Sequence, residues 1–124
     1  MNKEKNQIEL GEDSSLIDER CQALCLAIKD SAGYIRYHKA LEKLKVNKKL
    51  FAIFNEFRQK SLIIELNPEE NKYTGKEELY AEYKDLLVDP DVSEFLTAEQ
   101  QMCLMVRGIH ERIAEVVDMD LSYM

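Results

Sequence analysis

The sequence has few of the residues that interrupt regular structure: four glycines, two prolines and no tryptophan in 124 residues. So few turn-forming residues argue against a fold of many short strands. No apolar run approaches the ~20 residues that a membrane-spanning helix needs, so we expect no membrane association. The N-terminus has no apolar core typical of secretory signals, which predicts a cytoplasmic protein.

Cysteine is also scarce, with three residues and no spacing that suggests a disulfide framework. Cys21 and Cys25 are one helical turn apart, so with Cys103 they are the candidate metal ligands. The other interpretation makes Cys21 and Cys25 small core residues, because Ile17 and Leu24 fall on the same helical stripe. Strong metal sites need more ligands at recognised spacing, so we predict no metal and no cofactor.

Charge is plentiful but unevenly divided. The net charge of −7 argues against a general nucleic-acid binder, so direct nucleic-acid binding is not expected. Residues 1–62 carry a net charge of +3 and residues 63–124 a net charge of −10. We therefore expect attraction between a basic stripe and an acidic stripe, within one chain or between two copies. The basic stripe is Arg36, Lys39 and Lys43, and the acidic stripe is Glu78, Glu82 and Asp85.

The basic stretch 36–49 suggests a second interpretation, in which it contacts RNA and its neighbouring aromatic residues stack on bases. Those residues are Tyr34, Tyr37 and Phe51. The two tyrosines share an apolar helical face with Leu41 and Leu44, so we assign them to the buried side of a helix.

Apolar periodicity predicts helices in the first half of the chain. One begins at Ser14 or Ser15 and ends near Gly33, which suits a positive φ. A second begins near Tyr34, and a break at Asn47 separates it from a third, because the apolar stripe changes phase there. The composition of residues 67–76 predicts a loop, with Gly75 near its C-terminal end.

The second half predicts a helix over residues 76–88 and a short turn over residues 91–96. Thr97 then caps a closing helix with the most regular apolar stripe in the chain. We expect an all-α fold of four to five helices in one domain over residues 14–118. Residues 1–13 are predicted to be a disordered tail, and residues 119–124 a frayed end.

A chain of this size with thin amphipathic helices has limited room for its own core. We therefore predict a long antiparallel bundle that is completed by dimerisation, as a homodimer or higher oligomer. The predicted contact combines the end of the third helix with the closing helix. Its residues are Leu62, Ile63, Leu66, Met102, Met105, Ile109, Ile113 and Val116.

No pattern predicts catalysis. His38 and His110 have no nucleophile or orienting acid at a known motif spacing, and there is no Gly-rich phosphate loop. We expect a protein that is not an enzyme and has no catalytic residues.

Several short motifs follow one another in a fixed order. They are Ala27-Ile28-Lys29-Asp30-Ser31 with Tyr34 and Tyr37, then Arg58-Gln59-Lys60, Gly75-Lys76, Asp89-Pro90-Asp91-Val92 and Ala98-Glu99-Gln100. In this order they resemble the YlbF/YmcA family of small helical proteins from Gram-positive bacteria, over about residues 15–118.

The resemblance implies long antiparallel helices that associate as a dimer or higher oligomer. It also implies a regulatory adaptor without known catalysis, linked to competence, biofilm formation, sporulation and control of RNA processing. Some members bind iron–sulfur clusters through cysteines near the C-terminus, whereas this sequence has no cysteine after Cys103. A metal- or cluster-dependent sensor that uses Cys21, Cys25 and Cys103 is the alternative function.

Overall fold

The computed structural model describes residues 14–67 and 72–118, which form six helices and no strand. The helices are α1 (Ser14–Asp30), α2 (Ala32–Val46), α3 (Lys48–Leu66), α4 (Lys72–Glu82), α5 (Lys84–Leu87) and α6 (Pro90–Val117). The all-α prediction is confirmed, although the described residues form six helices in place of the predicted four to five. The predicted tail 1–13 and frayed end 119–124, with residues 68–71 of the predicted loop, lie outside the described residues. None of the helices described is long and apolar enough to cross a bilayer.

The chain divides into two compact units, residues 1–35 and 36–124. The described part of the first unit is α1 and the first turn of α2. No residue of α1 is buried, and Ile17, Cys21, Leu24 and Cys25 are all exposed. The interpretation of the two cysteines as core residues is therefore wrong, because one helix and one further turn are too small to enclose a core.

Ser31 separates α1 from α2. Its hydroxyl donates to the Ile28 carbonyl at 2.6 Å and accepts from the Tyr34 amide at 3.2 Å. This bond satisfies an amide that the first turn of α2 would leave without a partner. α2 consequently begins at Ala32, two residues before the predicted start. Gly33, expected to end α1, lies inside α2 instead.

Asn47 separates α2 from α3, as the change of apolar phase predicts. Its backbone is extended, and its side-chain oxygen accepts from the Leu50 amide at 3.2 Å. The break allows Leu44 of α2 and both Phe54 and Phe57 of α3 to be buried in one core. A single straight helix could not bury both stripes.

The buried core lies in the second unit and receives residues from every helix from α2 to α6. Its residues are Ala40, Leu44, Phe54, Phe57, Leu79, Tyr83, Leu86, Val92, Phe95 and Ala98. Phe54 packs edge to face on Phe95 with ring centroids 5.6 Å apart, and Phe57 packs on Tyr83 at 5.4 Å. Aromatic packing of this kind contributes both apolar burial and a fixed ring geometry.

α4 packs against α3 in antiparallel order. Gly75 lies near Ile64, whereas Lys60, earlier in α3, donates to Glu82 at 3.0 Å. A Cβ on Gly75 would lie only 3.3 Å from Cγ2 of Ile64, so the glycine permits close approach of the two helices. The prediction of a loop ending at Gly75 is wrong, because α4 begins at Lys72 and this glycine serves helix packing.

α6 is one continuous helix that begins after Asp89. The Asp89 carboxylate accepts from the amides of Asp91 at 2.9 Å and Val92 at 3.2 Å, and proline occupies the first helical turn. The prediction that Thr97 caps a separate helix is wrong. Its hydroxyl donates to the Ser93 carbonyl at 3.0 Å, as threonine does inside a helix. An Asp-Pro start is sufficient to carry the helix through the predicted turn.

The part of α2 in the second unit packs along the N-terminal half of α6. Arg36 donates to both Glu94 carboxylate oxygens at 2.7 and 2.8 Å, and Lys43 Nζ lies 3.3 Å from Asp91. Because Arg36 meets the later α6 residue and Lys43 the earlier one, the two helices are antiparallel. The expected pairing of this basic stripe with the acidic stripe of residues 78–85 is wrong within one chain, since α6 supplies the partners of Arg36 and Lys43. Pairing between two copies stays a prediction.

Replacing Asp89 with alanine removes the acceptor of two amides at the start of α6. We expect the free energy of unfolding to fall by about 1 kcal/mol, measured by urea denaturation. Asp89→Ser keeps an acceptor and should retain most of that stability. Thr97→Ala is the matched control, with an expected change below about 0.5 kcal/mol. An equal loss in both alanine variants would contradict this assignment of the cap.

The Arg36 guanidinium lowers the pKa of Glu94, chiefly through the hydrogen bonds that it donates. A carboxylate of this kind stabilises the fold above its ordinary pKa of 4.5, and the contribution is lost as the pH falls through the lowered folded-state pKa. Glu94→Gln should therefore be less stable than wild type near neutral pH. Their difference in unfolding free energy should shrink as the pH is lowered below 4.5. A difference that stays constant with pH would show that the charge of Glu94 contributes nothing.

Candidate functional site

The C-terminal part of α6 continues beyond the buried core. The helix has 28 residues, a length of about 42 Å, yet only Val92, Phe95 and Ala98 are buried. No residue from 99 to 118 is buried. The apolar stripe nevertheless continues at helical spacing to Val116. The stripe therefore forms core in the first part of the helix and surface in the second.

We call this exposed continuation the α6 ridge. It consists of Met102, Met105, Val106, Ile109, Ile113 and Val116. Ile113 is 52% exposed and Val116 86% exposed, while Met102, Met105 and Ile109 are half-buried. The ridge has no charged side chain, although 33% of the chain is charged. An uncharged apolar patch of this kind is typical of a contact with another polypeptide.

A groove of about 560 Å³ lies beside the ridge. Its lining residues are Tyr37, Glu99, Met102, Cys103, Val106, Arg107 and His110. The Tyr37 ring packs on Phe95 at 5.5 Å, and Phe51 also packs against the core. The assignment of Tyr37 to the apolar side of its helix is confirmed, whereas Tyr34 is half-buried and is not among the residues packed against the core.

A second groove of about 850 Å³, the α3 groove, is formed by residues of α3, α4, α5 and α6. Its lining residues are Asn55, Phe57, Arg58, Gln59, Ser61, Leu62, Glu65, Tyr80, Leu87, Leu96 and Glu99. Leu62 is 57% exposed within it. Ile63 and Leu66, the other predicted contact residues of α3, are exposed on the same helix end. The predicted contact residues thus fall on two surfaces, the α6 ridge and the end of α3.

Arg58 and Glu99 join α3 to α6 where the two grooves meet. Two guanidinium nitrogens donate to the two carboxylate oxygens at 2.8 and 2.9 Å. The guanidinium carbon lies 5.3 Å from the Phe54 ring centroid and 5.9 Å from that of Phe95. Hydrogen bonding to Glu99 raises the pKa of Arg58. This bidentate, stacked arrangement fixes the two helices more firmly than a single exposed contact would.

Sequence reasoning did not identify this ion pair. Arg58 and Glu99 are 41 residues apart, and neither belongs to a local charge pattern that would indicate the other. The only signal was that both residues occur in the motifs of the family resemblance. A pair of this kind becomes visible only when the packing of α3 on α6 is known.

The described residues provide apolar contact area rather than buried reactive groups. No polar or charged side chain among them is buried, and none has a buried nitrogen or oxygen without a hydrogen-bond partner. Catalytic groups are usually found where burial and a charged neighbour act on one side chain.

The three cysteines are free and exposed. The pKa of the Cys21 thiol is raised, first by partial loss of solvation and next by the neighbouring Cys25, which favours the protonated form over the metal-binding thiolate. Cys103 and His110 do line one groove. Within residues 14–67 and 72–118, however, no group of three or more His, Cys, Asp or Glu side chains could hold a metal ion.

The described residues define a small all-helical protein with one long helix that is only partly covered. The profile of one family, described as "Control of competence regulator ComK, YlbF/YmcA", matches residues 17–118. The chain belongs to this family, and the match runs from α1 through α6. The resemblance proposed from its motifs is thereby confirmed.

Several curated relatives are similar over most of the chain. A UPF0342 protein of Staphylococcus epidermidis is 34% identical over 99 residues, which cover 74% of this chain and 83% of the relative. A UPF0342 protein of Symbiobacterium thermophilum is 27% identical over 108 residues, which cover 85% of this chain and 96% of the relative. A UPF0342 protein of Caldicellulosiruptor saccharolyticus is 27% identical over 99 residues, which cover 77% of this chain and 82% of the relative. No solved structure matches the chain significantly.

A double-mutant cycle measures how strongly Arg58 and Glu99 are coupled. We expect a coupling free energy of about 1 kcal/mol, because the pair is bidentate, stacked on aromatic rings and partly shielded from water. The control is the single-contact pair Lys43–Asp91, whose lysine side chain is 74% exposed and whose coupling should stay near about 0.3 kcal/mol. In both cycles each residue of the pair is replaced with alanine, singly and together, and the free energy of unfolding is measured by urea denaturation. Equal coupling in the two pairs would contradict a special role for Arg58.

Proposed function

We propose that this chain is a non-enzymatic regulatory adaptor that acts through its helix faces, binding a second copy of itself and a regulatory protein partner. Family membership supports the regulatory role, because the family is described by its control of the competence regulator ComK. The processes we propose are those that the resemblance implies: development, competence, biofilm formation or RNA processing. The observation that carries the proposal is the exposed, uncharged α6 ridge.

The ridge is costly to leave in water. Covering the side chains of Val106, Ile113 and Val116 would contribute roughly 1–2 kcal/mol each, because their exposed apolar surface would be removed from solvent. Association must also offset the lost rotational and translational freedom of two molecules. A contact that used the ridge alone would therefore be weak, and one that also covered the end of α3 would be stronger.

Charges border the ridge without interrupting it. Arg107, Glu111, Arg112 and Glu115 lie on the remaining sides of the same helical segment and are exposed. Both signs occur there, so a partner can be oriented by a charged rim while the apolar centre supplies most of the affinity. An apolar centre with a charged rim supports binding to a specific partner rather than non-specific hydrophobic association.

Ile113→Glu places a charge on the ridge at an exposed position, so the helix should fold but the contact should fail. Static light scattering is expected to show a fall from dimer or higher mass to monomer at the same concentration. In affinity purification from the source cell, the variant should also lose the proteins that wild type retains. The physical reason is that a buried, unpaired carboxylate opposes association.

Leu104→Glu is the matched control. Leu104 is 54% exposed on the same helix and lies nine residues before Ile113, about 180° around the helix axis. It should leave both mass and protein partners unchanged. The proposal is wrong if wild type is monomeric and retains no protein partner. It is also wrong if both variants behave as wild type does.

A further inference from the structure

We infer that two copies of this chain exchange the ends of their α6 helices, so that the α6 ridge of each enters the α3 groove of the other. The inference deepens the proposed function, on which it rests, by assigning a specific occupant to each exposed surface. Within residues 36–67 and 72–118, one copy carries an apolar ridge that is partly to largely exposed and an α3 groove that no described residue fills, and both belong to the second unit. A second copy supplies what each surface lacks.

The α3 groove matches the last three turns of the α6 ridge in length. The α3 wall of the groove runs from Asn55 to Glu65, about 15 Å along the helix. The whole ridge, from Met102 to Val116, extends over about 21 Å, and its last three turns, from Met105 to Val116, over about 16 Å. The side chains along its seam follow spacings of four, three, four and three residues, the pattern with which a helix packs into a complementary groove. They are Met102, Val106, Ile109, Ile113 and Val116.

The two surfaces also agree in charge. The charged residues that line the α3 groove already have partners in the same chain, Arg58 with Glu99 and Glu65 with Lys76. The other polar lining residues are the uncharged Asn55, Gln59 and Ser61. A helix that brought its own charges into this groove would lose their hydration without gaining a free counter-charge. An uncharged face avoids that cost, and the α6 ridge is such a face.

Reciprocal exchange also satisfies the symmetry of a closed dimer. Each copy gives one ridge and accepts one, so a two-fold axis relates two identical contacts and leaves neither surface open for further growth. The alternative in which two ridges pack on each other would cover both ridges but leave both α3 grooves unfilled. Exchange covers Leu62 and the ridge in a single interface, which a ridge-to-ridge contact does not.

Site-directed disulfides distinguish these arrangements. In a full-length background with Cys21, Cys25 and Cys103 replaced by serine, one preparation carries Leu62→Cys and a second, tagged preparation carries Ile113→Cys. After equilibration of the mixture, oxidation with copper phenanthroline should give a disulfide between the two preparations. Tyr80→Cys, on the α4 side of the groove, replaces Leu62→Cys in a parallel mixture, so that one unfavourable side-chain geometry does not decide the result.

Val46→Cys is the control, because Val46 is 82% exposed but lies on neither surface. Its mixture with Ile113→Cys should give at least tenfold less crosslink. Efficient crosslinking of Ile113→Cys alone would overturn the exchange in favour of ridge-to-ridge pairing. Absence of the mixed disulfide at both groove positions would also overturn it. Light scattering of the serine background separates the two hypotheses: a dimer without the mixed disulfide refutes only the exchange, whereas a monomer refutes the proposed self-association as well.

Discussion

The packing of Phe54 on Phe95 beneath the Arg58 guanidinium is the contact on which the second unit depends. The rings bury apolar surface between α3 and α6, while the Arg58–Glu99 pair closes over them from the solvent side. Because the pair is bidentate, it holds both the spacing and the rotation of the two helices. Glu99 lines both grooves, so the position of each groove follows from this one contact.

The same contact explains why α6 has two roles. Its first turns lie between α2 and α3 and are held by core packing and by ion pairs to Arg36 and Lys43. Ala98 is the last residue of α6 that is buried in the core of the second unit. The apolar stripe nevertheless keeps its spacing, so the α6 ridge presents core-like side chains to the surface. The N-terminal part of α6 thus contributes Val92, Phe95 and Ala98 to the core, whereas the apolar side chains of its C-terminal part stay exposed or half-buried.

One local signal in the sequence predicted the local structure correctly. The change of apolar phase at Asn47 indicated the break between α2 and α3, since a straight helix cannot turn two different stripes to one core. Signals that have more than one cause misled the prediction. Gly75 was interpreted as a loop residue although it allows close approach to Ile64, and the Thr97 capping pattern lies within a helix that an Asp-Pro sequence had already started. The Arg58–Glu99 pair has no local signal, because it depends on packing between distant segments.

Periodicity alone cannot separate a residue that is buried in its own chain from one that awaits a partner, because both need an apolar stripe at helical spacing. Cys25 and Ile109 illustrate the point: each lies on a regular stripe, and neither is buried within one copy. What separates the two cases is whether a neighbouring element of the same unit covers the stripe. Among the described residues, none covers the ridge fully and none fills the α3 groove, whose charged lining residues already have partners in the same chain. Among the surfaces of the second unit, these two therefore have the strongest physical reason to be completed by another polypeptide.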